Sequence, residues 1–492
     1  MSASTEEPPK AAAKGVDRPA AELNGVLGVG SIVFMVVAAA APLGVVAATF
    51  PVVISVEQST GAPLFFTLTT VLLLLFSIGY TQMSRYVPNA GAFYSYIQAG
   101  MGRVIGTGAA TLAYVSYLVL LVGSTAYFGV SASNAGRTFL HVDLPWWFWC
   151  FVGFAIAGFL GYRNVDLSAR VLGVALVLET LIVIVMDVAI VAKGGHAGLS
   201  AAPLSPSNLT QGAPSLGFMF AFFCFFGFEA TAVFRNEAKD PSRTVPRATY
   251  IAVVGIGVFY AATMWCVING MGVDRAVDVS TGNPTGAVLD LARDYVAPIM
   301  RDVMLVLLLT SQFACTLSFH NVVTRYQYTM GVKRVLPPWL GVVHPKHRTP
   351  SRSSLVVSAV TIGAMALVAL LGLDPVTQVF TWFSGAATLG IVAMMAMTGV
   401  AVMIFFRRHT AERGIWRTLV APLLSSAGLF VILSLVIANF GLLVGGDGAA
   451  EWILSVLIVA SFAAGLVVAV VMRRRQPSVY AALHDESETV LV

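Results

Sequence analysis

Long runs of apolar residues alternate along the chain with short polar connections that hold most of its charged side chains. A bilayer core requires about 20 apolar residues per helix. About twelve such stretches occur, centred near residues 38, 73, 115, 153, 180, 225, 258, 315, 362, 389, 430 and 461. The pattern predicts an all-α integral membrane protein of about 12 transmembrane helices. Its helices 1 to 10 form a core over residues 23–403, and helices 11 and 12 follow over 404–472. Polar tails lie at 1–22 and 473–492; residues 1–22 and 476–492 read as disordered, and Arg473 to Arg475 as a topology anchor.

Two runs are interrupted. The first contains Ala38 to Ala41 followed by Pro42, Leu43 and Gly44, where the proline removes a backbone donor and small residues permit a bend. The sixth, residues 216–233, contains Cys224, Phe225, Phe226, Gly227, Phe228 and Glu229. Unwound backbone at membrane depth is tolerated only where it is buried in protein or lines a cavity. Both breaks are therefore expected to face a central site. They lie five spans apart, the separation of two inverted five-helix repeats with a solute at the midplane.

Composition agrees: 57% of residues are hydrophobic, 11% are charged and the mean hydropathy is +0.83. Little chain remains for a soluble catalytic or nucleic-acid-binding module, so the net charge of +5 is a topology signal. With the N-terminus placed inside, 24 of the 29 Lys and Arg residues fall in loops and tails on that side and 5 on the other. The positive-inside rule then puts both termini in the cytosol and makes the span number even. The first 22 residues lack the apolar core of a cleavable signal, so the first span directs insertion. Trp146, Trp147 and Trp149 read as an interfacial belt at the outer start of the fourth span. Cys150, Cys224, Cys266 and Cys315 lie within spans, show no metal spacing and imply no disulfide framework.

Three segments carry a resemblance to the amino acid-polyamine-organocation superfamily of permeases. One joins Phe225, Gly227, Phe228 and Glu229 to the loop with Asn236, Glu237, Lys239, Asp240, Pro241, Arg243, Pro246 and Arg247. The second is Pro88, Ala90, Gly91, Tyr94 and Tyr96, and the third runs from Arg325 to Pro337. The resemblance covers roughly residues 23–472. It implies a five-plus-five inverted repeat with broken helices 1 and 6, two extra C-terminal helices, alternating access and no covalent chemistry. By the same resemblance a solute carboxylate faces the segment Ala41, Pro42, Leu43, Gly44 and Val45, and its amine faces Cys224, Phe225, Phe226 and Gly227. Phe223 takes the place of an aromatic gate, and Phe319 that of an aromatic pocket residue. Half-helix N-termini attract anions and exposed carbonyls attract cations, which suits such a zwitterion. This chain departs from the family's small-residue pattern at Pro42 and Leu43: proline has no N–H and leucine no hydroxyl. Either a carboxylate is held differently here, or the solute is an amine without one.

Few ionisable residues lie deep in the spans: Glu179 and Asp187 in the fifth, Glu229 in the sixth and His320 in the eighth. An acid at membrane depth is expensive and usually marks an ion or solute path. Desolvation disfavours the charged form of a carboxyl, the property a proton carrier needs. Glu179 is the first candidate for coupling, by loading a proton, pairing with a cationic solute or helping to hold sodium; a structural hydrogen bond is its plain alternative. Glu229 is read as a gate or an interhelical latch, Asp187 as solvated rim, and His320 as a pocket donor or a packing residue. Ser318 is the candidate hydroxyl for a sodium site. Lys239 and Asp240 are candidate gate contacts on a loop that is otherwise a solvated face.

The expectation is a secondary transporter of amino acids in the cytoplasmic membrane, proton-coupled through its buried acids, with organic amines and polyamines as the alternative cargo and a sodium-coupled carrier or an exchanger as the alternative mode. It needs no cofactor or resident metal, binds no nucleic acid, and works as a monomer or homodimer. A channel would need a continuous lined pore, usually from several subunits. A membrane enzyme would need clustered His and Asp residues or an activated nucleophile near one face, whereas His344 and His347 lie in a loop without matching ligands. A sensor differs from a carrier in failing to exchange its ligand.

Overall fold

The computed structural model describes residues 27–87, 92–163, 169–233, 238–344, 349–408, 414–444 and 448–483. The tail at 1–22, the end of the other tail at 484–492, and parts of the expected motifs at 88–91, 164–168 and 234–237 lie outside the described residues.

Twelve apolar helical segments follow in order: α1 (Val29–Glu57), α2 (Ala62–Met83), α3 (Arg103–Leu140), α4 (Trp146–Arg163), α5 (Ala169–Ala192) and α6, which is split into Pro214–Phe223 and Ala230–Val233. Then come α7 (Pro241–Met271), α8 (Pro298–Val332), α9 (Ser351–Leu370), α10 (Pro375–Arg408), α11 (Trp416–Ala438) and α12 (Ala449–Arg475). Ten of these are long and apolar enough to cross a bilayer as they stand, and α4 and the first half of α6 are shorter apolar helices. The chain is thus an all-α, multi-pass membrane protein, and every expected span centre falls within one of the twelve. α10 runs on to Arg408, past the expected core boundary at residue 403.

α3 lies at the centre and packs against α8, α10 and α12, while α7 packs on α2. The α3–α12 crossing is close because both helices present small residues: a Cβ added at Gly465 would come within 2.7 Å of the Gly108 Cα. Small residues let helices approach where hydrophobicity supplies no net drive between them.

α1 is not one rod. Its first half ends at Ala39, and Ala41 takes a left-handed conformation (φ 45°, ψ 69°) before the chain resumes at Pro42. A non-glycine residue there is strained and persists only when its surroundings hold it. Pro42 therefore occupies the first position of a helix, where the missing N–H has no intrahelical partner to lose. Farther on, Pro51 cannot donate to Ala47, and the helix widens into a π turn over Val45–Thr49. The Tyr127 hydroxyl of α3 donates to the Ala47 carbonyl instead, at 3.4 Å.

The tail after α12 is ordered in part, contrary to expectation. Pro477–Ala482 forms a short helix, Tyr480 lies under the Arg103 guanidinium at 5.3 Å from its ring centroid, and Leu483 is buried. The Gln98 amide also donates to the Leu483 carbonyl at 2.6 Å. An aromatic and an apolar side chain at helical spacing found a seat on the helix Ala92–Met101 and the start of α3. At the other end of the chain, Leu27 pairs with Ala238 in an isolated parallel bridge, and the Lys239 N–H donates to the Leu27 carbonyl at 3.0 Å. Asp240 caps α7: its carbonyl accepts from the N–H groups of Arg243 and Thr244. The Ser242 hydroxyl, with Arg243, holds the Asp240 carboxyl below its ordinary range.

Candidate functional site

The second break lies in α6. Helical pairing stops at Phe223, six residues form turns, and Gly227 has φ 101°, a conformation that disfavours any side chain. Glu229 closes this turn on itself, accepting the Gly227 N–H at 3.0 Å with one carboxyl oxygen while the other accepts the Tyr117 hydroxyl of α3. The Tyr80 hydroxyl of α2 donates to the Glu229 backbone carbonyl at 2.9 Å. A buried acid (7% exposed) thus joins α6 to α3 and fixes the unwound backbone through three partners.

The break in α1 is held in a matching way. The Tyr260 hydroxyl of α7 donates to the Ala40 carbonyl at 3.2 Å. Glu179 of α5, 4% exposed, sits beside the start of the second half of α1. Its carboxyl accepts the Ser311 hydroxyl of α8 at 2.9 Å and lies beside the Leu43 backbone N–H. A carboxylate at a helix start is favoured by the unpaired N–H groups and by the helix dipole.

Between these breaks runs a cavity of about 2070 Å³. Ala41, Glu179, Phe226, Gly227, Ser311 and Phe319 meet on its walls. Glu229, Ser318 and Cys315 line it as well. It extends from Phe139 and Trp149 at one end to Lys333 and Leu483 at the other, well beyond the few hundred cubic ångströms that one small solute fills. Its basic lining in the described residues, Arg325 and Lys333, belongs to the end of α8 and the residue after it.

Several expected site residues turn away. Pro42, Leu43 and Gly44 are buried against their neighbours, as is Val45, and none lines the cavity. Cys224 and Phe225 are each 1% exposed, and Phe225 packs edge-on against Tyr260. Phe223 stands one layer off the cavity, its ring 5.4 Å from Phe226 and 6.0 Å from Phe380 of α10. His320 is fully buried and does not line the cavity: its Nε2 pairs with Ser358 of α9 at 3.1 Å and its ring meets Phe154 of α4. Asp187 is not solvated rim; it accepts the Thr263 hydroxyl of α7 at 2.6 Å and its other oxygen is buried. Tyr117, Ser311 and Cys315 escaped the sequence reading, because a hydroxyl or thiol within an apolar run carries no local sign of the face it occupies.

Two broken helices meeting at a cavity deep in a helical membrane bundle are the working parts of a membrane carrier. The amino acid permease family matches residues 27–462, and the chain belongs to that family. It is similar to the branched-chain amino acid permease BcaP of Bacillus subtilis (strain 168), with 24% identity over 377 residues, 72% of this chain and 76% of that protein. It is also similar to the low-affinity putrescine importer PlaP of Escherichia coli (strain K12), with 25% identity over 321 residues, 62% of this chain and 66% of that one. A methylthioribose transporter of Bacillus subtilis (strain 168) is 23% identical over 373 residues, covering 71% and 75% of the two chains. The chain is a transporter, as its relatives are, and not an enzyme.

Proposed function

We propose that the chain is a secondary active carrier that moves amino acids or closely related organic amines across the cytoplasmic membrane by alternating access, with protons as the coupling ion and both termini in the cytosol. The observation that carries this reading is Glu179: a buried carboxyl on the cavity wall that touches both α8 and the broken backbone of α1. Loading or releasing a proton there changes the charge at the joint between a helix that packs the bundle and one that is already divided. Relatives named for branched-chain amino acids, putrescine and methylthioribose are consistent with a small polar solute. The proposed solute region is Ala41, Phe226, Gly227 and Phe319, with Glu179 coupling, Glu229 latching and Ser318 on the same wall.

The test is uptake into proteoliposomes under an imposed pH gradient, alongside counterflow at equal pH. Glu179→Gln keeps an oxygen for Ser311 and Leu43 but removes the titrating group. It is expected to abolish pH-driven uptake and leave exchange in place. Unaltered proton dependence in that variant refutes the coupling role, and the absence of counterflow by the wild type refutes carriage.

A further inference from the structure

We propose that the solute is an organic cation bearing an ammonium group and no carboxylate. This narrows the carrier reading above and rests on it. The second half of α1 is where a zwitterion would place its acid. Pro42 has no N–H, and the Val45 N–H is used by the Ala41 carbonyl at 3.0 Å. The Leu43 N–H lies beside the Glu179 carboxyl. Gly44 is pressed on α8, where an added Cβ would lie 2.9 Å from the Gln312 amide nitrogen and 3.5 Å from the Ser311 hydroxyl. Of the four residues that begin this half-helix, Pro42 has no donor, Val45 has spent its own, and Leu43 and Gly44 are buried beside Glu179 and against α8.

The side chain beside Leu43 is itself an acid. A second carboxylate brought to this helix start would meet Glu179 at close range, and like charges repel strongly where water is scarce. The protein's own carboxyl thus stands in the place that the solute's would take.

Charge along the cavity points the same way. Glu179 and Glu229 both line it, while Arg325 is about 21 Å along α8 from Ser311 at 1.5 Å per residue, and Lys333 is farther still. Arg325 approaches the α6 end through Tyr326, which stacks on Tyr117, but no basic residue of the described lining lies near the α1 break to balance an anion there. Phe226 and Phe319 add aromatic rings to the lining, and the face of such a ring attracts an ammonium group and not a carboxylate. A cation that carries no anion of its own meets every one of these groups favourably.

The experiment compares matched pairs that differ only by the carboxylate: putrescine with ornithine, ethanolamine with serine, and isoamylamine with leucine. Each is tested on purified full-length protein by thermal shift and in proteoliposomes by counterflow. The amine of a pair is expected to stabilise and exchange, and its amino acid to bind roughly tenfold to a hundredfold more weakly, the range set by one unpaired buried polar group. Glu179→Gln keeps that order, since the Gln oxygen still fills the helix start. Glu179→Ala vacates it and narrows the gap. Amino acids that bind wild-type protein as tightly as their amines overturn the proposal while leaving carriage intact. If neither member of any pair binds or exchanges, the carrier reading falls and this inference falls with it. The wild-type comparison decides without relying on a variant that folds.

Discussion

Glu229 offers the clearest separation between a polar latch and an inert buried acid. In Glu229→Ala the Gly227 N–H, now bonded at 3.0 Å, and the Tyr117 hydroxyl both lose their acceptor. An orphaned buried donor costs about 1–3 kcal/mol, so the pair together costs about 2–6 kcal/mol. Glu229→Gln behaves differently, because its oxygen can take the Gly227 N–H while its amide donates to the Tyr117 oxygen. The expected loss for Gln is about 1–3 kcal/mol, since the Gly227 N–H keeps its acceptor and only the Tyr117 O–H gives one up. Heat-induced unfolding of the purified variants, followed by tryptophan fluorescence, should rank Gln between wild type and Ala. Counterflow should follow the same order, since the unwound turn of α6 loses its anchor to α3. An Ala variant that melts and exchanges like wild type refutes the latch.

Gly227→Ala forces a Cβ into a backbone at φ 101°, a strain of about 1–3 kcal/mol, and should slow exchange with little change in expression; wild-type exchange would contradict the proposed α6 geometry. Ser311→Ala removes the hydroxyl that orients Glu179 and should weaken solute binding by roughly tenfold, a hydrogen bond to a charged group being worth about 1.5–3 kcal/mol. Thermal-shift titration measures it, and unchanged affinity would separate Ser311 from the site. His320→Asn should leave solute affinity unaltered while lowering the unfolding temperature, because the ring faces Ser358 and Phe154. A selective loss of affinity in that variant would return His320 to the solute wall.

The helices and both interruptions were legible because hydrophobic run length and the special backbone demands of proline and glycine are local properties. The position of the first break was legible only to within a residue or two. The unwound residue is Ala41, and nothing in an alanine favours a left-handed conformation; the surrounding bundle imposes it. Pro42 marked the place by starting the next half-helix, not by lying in the gap. Which side chain faces the cavity was harder still. Phe319 and His320 are neighbours in sequence, but one residue turns an α-helix by about 100°, and that separates the solute wall from the α9 contact. Glu179 was chosen for its cost at membrane depth. Its neighbours, Leu43 and Ser311, come from helices 1 and 8 and are brought together only by the fold.

The bridge between Leu27 and Ala238 couples two pieces of chain that sequence separates by more than 200 positions. It splices the entry to α1 onto the segment between the second half of α6 and α7, so the two divided helices share a hinge plate at that face. The pair is made by main-chain atoms, so it is indifferent to most side chains at 27, 238 and 239. A proline at 239 is the exception, because it removes the N–H that the Leu27 carbonyl accepts.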